Sequence, residues 1–360
     1  MTIVQRASDL IGDTPLLELA STGTGTRLLL KLDQLNPTGS CKVRMAQQMI
    51  IEAERDGRLR PGGHIVEPTS GNTGCGLALV ALERGYRFTA IVDRHAAREK
   101  LCMLTAMGAQ LVFVDSPPGG GVSSVARRQV AARMAAELGA YYPDQHNNPG
   151  NCNGYVDLAA ELWRQLGTVD VLVAAIGTGG SLCGTMQALR AGGAQTRSVA
   201  VEPVGSIIFG GAPGVYHQTG AGSPDGFPVG ANVDRSVIDD AHQVSDRDAF
   251  AGARVVARRT GMLVGGTTGG AIHVALRQLF TYPAGSTVVV LCNDSGEKYL
   301  DSVYNDGWLR ARGVLDELAH RRVERWFTTY DVSIRVAARD RVSMSMSTSE
   351  PIAVPMAVGA

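Results

Sequence analysis

The feature that most constrains the fold of this 360-residue chain is an alternation of short apolar runs with helical patterns. Apolar strands are predicted at residues 28–32, 88–93, 110–115 and 169–176, and a turn and a helical pattern follow each of them. Strands that alternate with helices in this way usually lie parallel in one sheet, because each helix returns the chain to the same edge. The alternation therefore predicts an α/β fold with parallel sheets flanked by helices.

The length of the chain predicts two lobes, since a single hydrophobic core of this size is uncommon. We expect residues 36–145 to form a smaller N-terminal lobe with a mobile part, for which the Pro/Gly-rich loop 116–121 is the candidate. Residues 1–35 and 146–330 are expected to form a larger lobe. Residues 331–360 lose all periodic pattern and contain a run of Ser and Met, which is typical of a variable or disordered tail.

Composition argues against several classes of function. The 34 basic and 34 acidic residues balance, and no basic run occurs, so nucleic-acid binding is not expected. The N-terminal residues lack the apolar region of a signal peptide and no apolar run could span a bilayer, which predicts a cytoplasmic protein without a membrane partner. The six cysteines have no paired spacing and the seven histidines have no metal-ligand spacing. Buried free thiols in a reducing compartment and no protein metal site are therefore expected.

Lys42 is the first candidate functional residue. It follows a turn rich in Pro, Gly and Ser and begins a helical pattern, where the positive end of the helix dipole disfavours a protonated amine. In a dry site the pKa of such an amine falls, and the lysine can form an imine. The chain has only four lysines, and the others are expected in a strand (Lys31), an exposed helix (Lys100) and a turn (Lys298). A solvated lysine at a helix start is the alternative interpretation.

The turn between the predicted strand 169–176 and the next helix is the second candidate. Its residues are Gly177, Thr178, Gly179, Gly180 and Ser181. Glycines let backbone N–H groups face a ligand, and the helix N-terminus adds positive potential, so this turn suits a phosphate. Two alternatives stay open. One is a turn without a ligand, and the other is a nicotinamide-dinucleotide fold in which Glu202 would bind a ribose.

Two further turns combine hydroxyl groups with helix starts. The first suits a carboxylate and consists of Thr69, Ser70, Gly71, Asn72, Thr73 and Gly74. An elaborate helix cap is the alternative. The second spans residues 264–270, where a threonine hydroxyl could meet a ring heteroatom, although many such turns are only caps. A phosphate site, a carboxylate site, a candidate imine lysine and a hydroxyl turn together describe a pyridoxal phosphate site better than a nicotinamide site.

The order and spacing of these motifs resemble the cysteine synthase family. The matching segments are 36–42, 69–74, 177–181 and 266–269, together with an Asn-Asp-Ser-Gly-Glu-Lys-Tyr segment at 293–299. The resemblance covers about residues 5–305. It implies a two-lobed fold type II pyridoxal phosphate enzyme, similar to the tryptophan synthase β subunit. Such an enzyme is usually a homodimer, acts on small amino-acid substrates and binds its cofactor between the lobes.

The resemblance also implies roles for single residues. Lys42 would form the imine with the cofactor and shuttle the Cα proton of the substrate. Asn72 would contact the ring hydroxyl group, Thr267 would face the pyridine nitrogen, and the turn 177–181 would hold the phosphate. The residues implied for the substrate carboxylate are Thr69, Ser70, Thr73 and Gln145. Gly220 would lie near the reacting centre. A hydroxyl group beside the pyridine nitrogen leaves that nitrogen unprotonated, which favours departure of a β-substituent.

The implied reaction is β-replacement on an activated L-serine through an aminoacrylate. Residues 202–211 resemble the 2,3-diaminopropionate branch, whose enzymes use O-phospho-L-serine and L-glutamate. Their product is N-(2-amino-2-carboxyethyl)-L-glutamate, which serves siderophore or antibiotic biosynthesis. Cysteine synthesis from O-acetylserine or O-phosphoserine is the alternative, and a non-catalytic role in the same fold is a third hypothesis. Arg127 and Arg128 are candidate partners of a phosphate leaving group. The family's common Lys-Asp-Arg is Lys42-Val43-Arg44 here, which is expected to alter helix packing.

Overall fold

The computed structural model describes residues 3–93, 96–115 and 123–330, in which nine strands form two sheets. The strands are β1 (Leu16–Ser21), β2 (Arg27–Lys31), β3 (His64–Pro68), β4 (Arg87–Asp93), β5 (Gln110–Val114), β6 (Val171–Ala175), β7 (Arg197–Pro203), β8 (Asp240–Val244) and β9 (Thr287–Leu291). The predicted mobile loop 116–121 and the predicted tail 331–360 lie outside the described residues.

The larger sheet has the strand order β1-β2-β9-β6-β7-β8. Its neighbouring strands run parallel except β1 and β2, which pair antiparallel. Residues 22–26 between β1 and β2 are too few for a crossover, so the second strand must turn back on the first. The smaller sheet, β3-β4-β5, is wholly parallel. The predicted α/β class with parallel sheets is thus confirmed, with one antiparallel edge strand.

Eleven α-helices in the described residues connect the strands and cover the sheets. They are α1 (Lys42–Arg55), α2 (Asn72–Arg84), α3 (Arg98–Ala106), α4 (Ser123–Leu138), α5 (Gly150–Asn153), α6 (Val156–Leu166), α7 (Gly180–Ala191), α8 (Asp246–Thr260), α9 (Gly266–Gln278), α10 (Asp306–Ala311) and α11 (Glu317–Tyr330). Among these described helices, none is both long enough and apolar enough to span a bilayer. Gly154, between α5 and α6, packs so closely on α1 that a Cβ there would lie 2.6 Å from Met45 Cα.

Both faces of the larger sheet are buried, and β9 shows this directly. Val288 and Val290 belong to one apolar cluster with α8, α9 and α11, whereas Val289 and Leu291 belong to another with α1, α2 and α7. Side chains alternate along a strand, so a strand covered on both faces must be apolar at every position. The second of these clusters also includes Ile65 of β3 and therefore joins the two sheets.

A buried network of charges lies behind Lys42 on α1. The Arg44 side chain is 3% exposed and donates two hydrogen bonds to Asp33, at 2.8 and 2.9 Å, and two to Glu161, at 2.7 and 3.0 Å. The Lys31 Nζ donates to Glu161 at 2.7 Å. Burial alone would raise the pKa of Glu161, but Arg44 and Lys31 lower it to about 2. The network ties β2, the start of α1 and α6 together.

We expect Arg44→Lys to destabilise the protein strongly. A lysine cannot form bidentate bonds to two carboxylates, and breaking a buried ion pair costs about 3–5 kcal/mol. Arg55→Lys is the matched control on the same helix, because the Arg55 side chain is 69% exposed beside Asp56. That change should alter the free energy of unfolding by less than about 0.5 kcal/mol. Urea unfolding measures both, and equal effects of the two substitutions would refute the structural role of Arg44.

Candidate active site

The predicted functional turns follow the carboxyl ends of parallel strands. Lys42 comes after β2, the turn 69–74 after β3, the turn 177–181 after β6 and Asp294 after β9. Open α/β sheets bind ligands in the crevice at this edge, because the loops that leave parallel strands collect there. Hydrogen bonds join the Lys42 turn and the turn 69–74 directly to the loop after β9, and Asn151 and Gln145 link the turn 177–181 to Thr73, so the structure brings these segments together.

Lys42 is the first residue of α1, as predicted, and is half-buried. The turn before it contains two successive residues in the left-handed region, Thr38 at φ 68° and Gly39 at φ 65°. This backbone is unfavourable for threonine and must be held by its surroundings. The Cys41 N–H donates to the Asn293 carbonyl oxygen at 2.9 Å. The loop after β9 therefore anchors the turn that presents the Lys42 amine.

Two of the four residues implied for the substrate carboxylate contact each other. The Thr73 hydroxyl donates to Gln145 Oε1 at 2.6 Å. The Thr69 hydroxyl oxygen accepts from the Gly74 N–H at 3.0 Å, so this buried threonine acts as a cap of α2, as the alternative interpretation held. Ser70 lies in contact with α4 instead. The turn thus combines a helix cap at Thr69 with the Thr73 side chain, which contacts Gln145.

The turn before α7 is built so that only glycine fits. A Cβ at Gly180 would lie 1.8 Å from Asn151 Oδ1, and one at Gly179 would lie 2.3 Å from the Asn232 carbonyl oxygen. Gly179 also has a φ of 93°, in the left-handed region. α7 has 12 residues, and its first N–H groups have no carbonyl partner within the helix. The turn therefore presents backbone donors at the positive end of a helix, which fits a phosphate group.

Asn151 and Gly220 connect the phosphate turn with the substrate residues. Asn151 Nδ2 donates to the Gln145 carbonyl oxygen at 2.6 Å and to Thr178 Oγ1 at 3.1 Å. A Cβ at Gly177 would lie 2.7 Å from the Gly220 carbonyl oxygen. Asn151 was not predicted, because the polar run that contains it looks like a plain connection. The available signal was the density of asparagine amides in that run, which exceeds what a solvated loop needs.

The loop after β9 also holds the third predicted turn. Thr267 lies in the first turn of α9 and is 5% exposed. The Gly265 N–H, just before this helix, donates to the Asp294 carbonyl oxygen at 3.1 Å. Asp294 forms an antiparallel bridge with Ser40 on its other side. One short loop therefore joins the Thr267 turn to the turn that carries Lys42.

The expectation that Lys100 is exposed is wrong. Lys100 is 7% exposed, and its Nζ lies 3.3 Å from the Tyr299 hydroxyl and 4.6 Å from the centre of that ring. Burial lowers the pKa of Lys100. The surrounding Ala-Arg-Glu-Lys sequence looks solvated because its neighbours are charged, but the side that carries Lys100 packs on a residue about 200 positions away. Local sequence could not reveal that partner.

Glu202 is occupied by the loop that follows β7. It is 1% exposed and accepts hydrogen bonds from the Ile208 N–H and Gln243 Nε2, both at 3.1 Å, and from the Ser206 hydroxyl. A carboxylate with these three donors organises its own loop and is not available to a ribose. The nicotinamide alternative thereby loses the acidic residue that motivated it.

The remaining expectations concern thiols and metals. All six cysteines are free; five are buried, as expected, and Cys102 is exposed. Over the described ranges no group of three or more His, Cys, Asp or Glu side chains is placed to hold a metal ion. A polar cavity of about 280 Å³ lies elsewhere, beside Arg44 and Arg164, and none of the predicted site residues lines it. Both arginines are already paired with carboxylates, at Glu161 and Asp13.

Residues 7–294 match the family described as pyridoxal-phosphate dependent enzyme. The chain belongs to this family. A Sinorhizobium fredii protein provisionally named a cysteine synthase is 45% identical over 322 residues, which cover 89% of this chain and 96% of that protein. The N-(2-amino-2-carboxyethyl)-L-glutamate synthase of Ralstonia nicotianae is 36% identical over 315 residues, or 85% of this chain and 91% of that protein. The solved O-acetylserine dependent cystathionine β-synthase of Helicobacter pylori has a TM-score of 0.77 and 32% identity, and covers 85% of this chain and 100% of that one.

The protein is therefore a fold type II pyridoxal phosphate enzyme with cysteine synthase-like relatives, as its motifs predicted. Its residues fit this cofactor. The glycine turn before α7 would hold the phosphate, and the Lys42 amine would form the covalent link. Asn72 and Thr267 lie at helix starts that both contact the loop around Asp294, where they would meet the ring.

Glu67 supports the substrate side of the site. It is fully buried, and its two carboxyl oxygens accept the backbone N–H groups of Asp144 at 3.0 Å and Gln145 at 3.2 Å. Burial raises the pKa of Glu67 from 4.5 to about 8, against the effect of these two N–H groups. Asp144 has a φ of 46°, so the carboxyl group holds a strained turn that carries Gln145.

Glu67 should make stability depend on pH. Its pKa is higher in the folded protein than in the unfolded chain, so its protonation stabilises the fold fully below about pH 4.5, and this stabilisation is lost as the pH rises through about 8. We expect the free energy of unfolding to fall between about pH 5.5 and about pH 8.5, by up to about 1.4 kcal/mol for each pKa unit crossed. Glu67→Gln should remove this part of the pH dependence, which urea unfolding at both pH values measures.

Glu137→Gln is the control for this experiment, because the Glu137 side chain is 68% exposed on α4. This variant should keep the pH dependence of the natural protein. If Glu67→Gln also keeps this pH dependence of the free energy of unfolding, the pKa of Glu67 is not raised in the folded protein.

Proposed function

We propose that this enzyme joins the amine of L-glutamate to the β-carbon of O-phospho-L-serine, giving N-(2-amino-2-carboxyethyl)-L-glutamate for 2,3-diaminopropionate biosynthesis. The new C–N bond replaces the Cβ–O bond, phosphate leaves with the bonding electron pair, and the amine loses one proton. Pyridoxal phosphate supplies an electron sink for negative charge at the substrate Cα. The Ralstonia relative, which is named for making this compound, supports the proposal.

Lys42 is the proposed base that removes the Cα proton of the substrate and later returns a proton to that carbon. It is half-buried and is the first residue of α1, directly after the turn that the loop following β9 anchors. The side chains of Thr73 and Gln145, which contact each other, are the proposed binding site of the substrate carboxylate. Glu67 and Asn151 hold the backbone on either side of Gln145.

The surroundings of the Arg127 guanidinium are the main support for a phosphate leaving group. Its guanidinium donates to Ser70 Oγ at 3.3 Å and lies 3.5 Å from the Asp93 carboxylate. Its Nε is buried and has no hydrogen-bond partner among the described residues. Burial lowers the pKa of Arg127, and the nearby Asp93 carboxylate opposes this change. A phosphate monoester beside Ser70 would supply the missing acceptors, since arginine binds phosphate through several N–H groups at once.

Arg128 is less suited to this role. It lies 3.3 Å from Asp144 and stacks over the Phe227 ring at 5.4 Å. Its carboxylate partner is closer than the 3.5 Å between Arg127 and Asp93, and among the described residues no buried N–H of Arg128 lacks a partner. Of the two arginines suggested from sequence, Arg127 is the one that we assign to the phosphate.

The segment that resembles the 2,3-diaminopropionate branch lies against the active site. The Ile207 N–H donates to the Ser223 carbonyl oxygen at 3.0 Å, and the Ser223 N–H donates to Ser206 Oγ at 3.0 Å. Ser223 directly follows the glycine segment that begins at Gly220, which touches the phosphate turn at Gly177. Sequence differences in residues 202–211 can therefore change the shape of the site, which supports the use of this segment to assign the nucleophile.

Cysteine synthesis is the second candidate. It is favoured by the Sinorhizobium relative, which at 45% identity is more similar to this chain than the Ralstonia protein. In that case the activated serine would be O-acetylserine or O-phosphoserine and the nucleophile would be sulfide. The two candidates share the chemistry at Lys42 and differ only in the leaving group and the nucleophile.

A product assay distinguishes them. The purified enzyme is incubated with O-phosphoserine or O-acetylserine, each with L-glutamate or with sulfide, and products are identified by mass spectrometry. We expect N-(2-amino-2-carboxyethyl)-L-glutamate from O-phosphoserine and L-glutamate, and no product with Lys42→Ala. Cysteine as the only product would replace the first proposal by the second.

Arg127→Gln tests the leaving group. Loss of a charge-assisted hydrogen bond should lower kcat/KM for O-phosphoserine by about 10- to 100-fold, while kcat/KM for O-acetylserine should change by less than about threefold. Arg133→Gln, at a side chain that is 71% exposed on the same helix, is the matched control and should change neither. An equal loss with both substrates would assign Arg127 a structural role instead.

A further inference from the structure

The amide of Asn72 is held from both sides. Its Nδ2 donates to Asp294 Oδ2 at 2.7 Å, and its Oδ1 accepts from Lys298 Nζ at 2.7 Å. Both partners come from the segment that follows β9, whereas Asn72 begins α2, more than 200 positions earlier. A carboxylate therefore binds the nitrogen of this neutral amide, and an ammonium group binds its oxygen.

The chemistry of the two partners fixes the orientation of this amide. A lysine ammonium can only donate hydrogen bonds and a carboxylate can only accept them. Rotating the Asn72 amide by half a turn would place its NH₂ group against Lys298 and its oxygen against Asp294, and both bonds would be lost. Asp294 uses one of the two hydrogens of the Asn72 nitrogen, and the second, on the side of the nearby Tyr299 hydroxyl, can serve another acceptor.

Lys298 and Asp294 also hold the turn that presents Lys42. The Lys298 Nζ donates to the carbonyl oxygens of Thr38 at 2.7 Å and Gly39 at 3.0 Å, the two residues in the left-handed region. These three acceptors occupy the three hydrogens of an ammonium group. Burial lowers the pKa of Lys298, and the nearby Asp294 carboxylate opposes this change.

Asp294 is fixed in turn by a second buried group. It is 3% exposed and accepts a hydrogen bond from the Tyr299 hydroxyl, which the Lys100 Nζ contacts at 3.3 Å. Lys100 comes from α3 beside the smaller sheet, and Tyr299 from the segment after β9 of the larger sheet. The carboxylate that holds Asn72 is thus itself part of a rigid network between the two sheets.

We propose that Asp294 and Lys298 are positioning residues that make Asn72 an obligatory hydrogen-bond donor toward the ring oxygen of pyridoxal phosphate. The inference rests on the role proposed for Asn72 and not on the identity of the nucleophile. Because only an N–H remains on the nitrogen of Asn72, the amide stabilises the ring oxygen in its deprotonated, anionic form. An asparagine free to rotate could present its own carbonyl oxygen instead, which would favour the protonated hydroxyl group.

A double-mutant cycle tests this inference. The variants are Asn72→Ala, Lys298→Met and the two combined, and the measurements are the Kd of the apoprotein for pyridoxal phosphate and the absorption spectrum of the bound cofactor. We expect Lys298→Met to weaken cofactor binding by about 10-fold and to shift the visible absorption band. In the Asn72→Ala background, Lys298→Met should have a clearly smaller effect than in the natural protein, because only its bonds to the Thr38 and Gly39 carbonyl oxygens remain to be lost. Thermal unfolding of each apoprotein reports on the fold separately.

Two further variants sharpen the result. Lys298→Arg keeps a cationic donor and should retain the absorption spectrum, and Asp294→Asn should resemble Lys298→Met, because an amide next to the Asn72 nitrogen no longer demands one orientation. Thr196→Val, which removes a buried hydrogen bond to the Val169 carbonyl oxygen far along the chain, is the control for nonspecific destabilisation. A full effect of Lys298→Met in the Asn72→Ala background, or normal cofactor binding and spectrum in Lys298→Met, would overturn the inference. Neither result alters the product assay, so failure of this inference and failure of the proposed reaction are distinguishable.

Discussion

The position of Lys42 depends on the burial of Arg44 between two carboxylates. Arg44 lies two residues after Lys42 on α1, and its guanidinium binds Asp33 and Glu161 with two hydrogen bonds each. Buried charges are stable only when their partners lie in good hydrogen-bonding geometry. This network therefore fixes the rotation of α1 about its own axis and its distance from the larger sheet. Because Asp33 lies just after β2 and Glu161 lies on α6, these contacts position the start of α1 relative to the larger sheet.

Backbone packing builds the rest of the site. The phosphate turn brings its backbone within contact distance of Asn151 and Asn232, at positions where any side chain on the glycines would collide. The turn before Lys42 adopts left-handed dihedrals that a threonine accepts only because neighbouring groups, including Lys298, bind its carbonyl oxygens. In both turns the backbone is strained or closely packed, and several surrounding contacts fix its conformation. Rigid backbone donors suit a cofactor whose phosphate and ring must stay fixed while the substrate changes.

The loop after β9 joins the segments that carry Lys42, Asn72 and Thr267, which are proposed to contact the ring. Its backbone pairs with Ser40 on one side and accepts from Gly265 on the other, while the Asp294 side chain holds Asn72. The Asp-Ser-Gly-Glu-Lys-Tyr segment was recognisable as a family motif, but its structural role could not be inferred from its amino-acid sequence. Its contacts join residues separated by more than 200 positions, such as Asn72 and Lys298. Sequence locates such a motif, and only the folded chain shows which groups it orients.

The sequence by itself determined the α/β class, the order of the functional turns and the start of α1 at Lys42, because apolar periodicity, glycine-rich turns and helix starts are local properties. Local pattern also indicated the phosphate and carboxylate turns correctly as strand-to-helix junctions. It failed for Lys100, which charged neighbours made look solvated, and for Asn151, whose contacts with Gln145 and Thr178 depend on the fold. Burial and the supply of hydrogen-bond partners depend on which segments meet in space. Local pattern therefore singled out Lys42, whereas only the tertiary structure showed what the other three lysines contact.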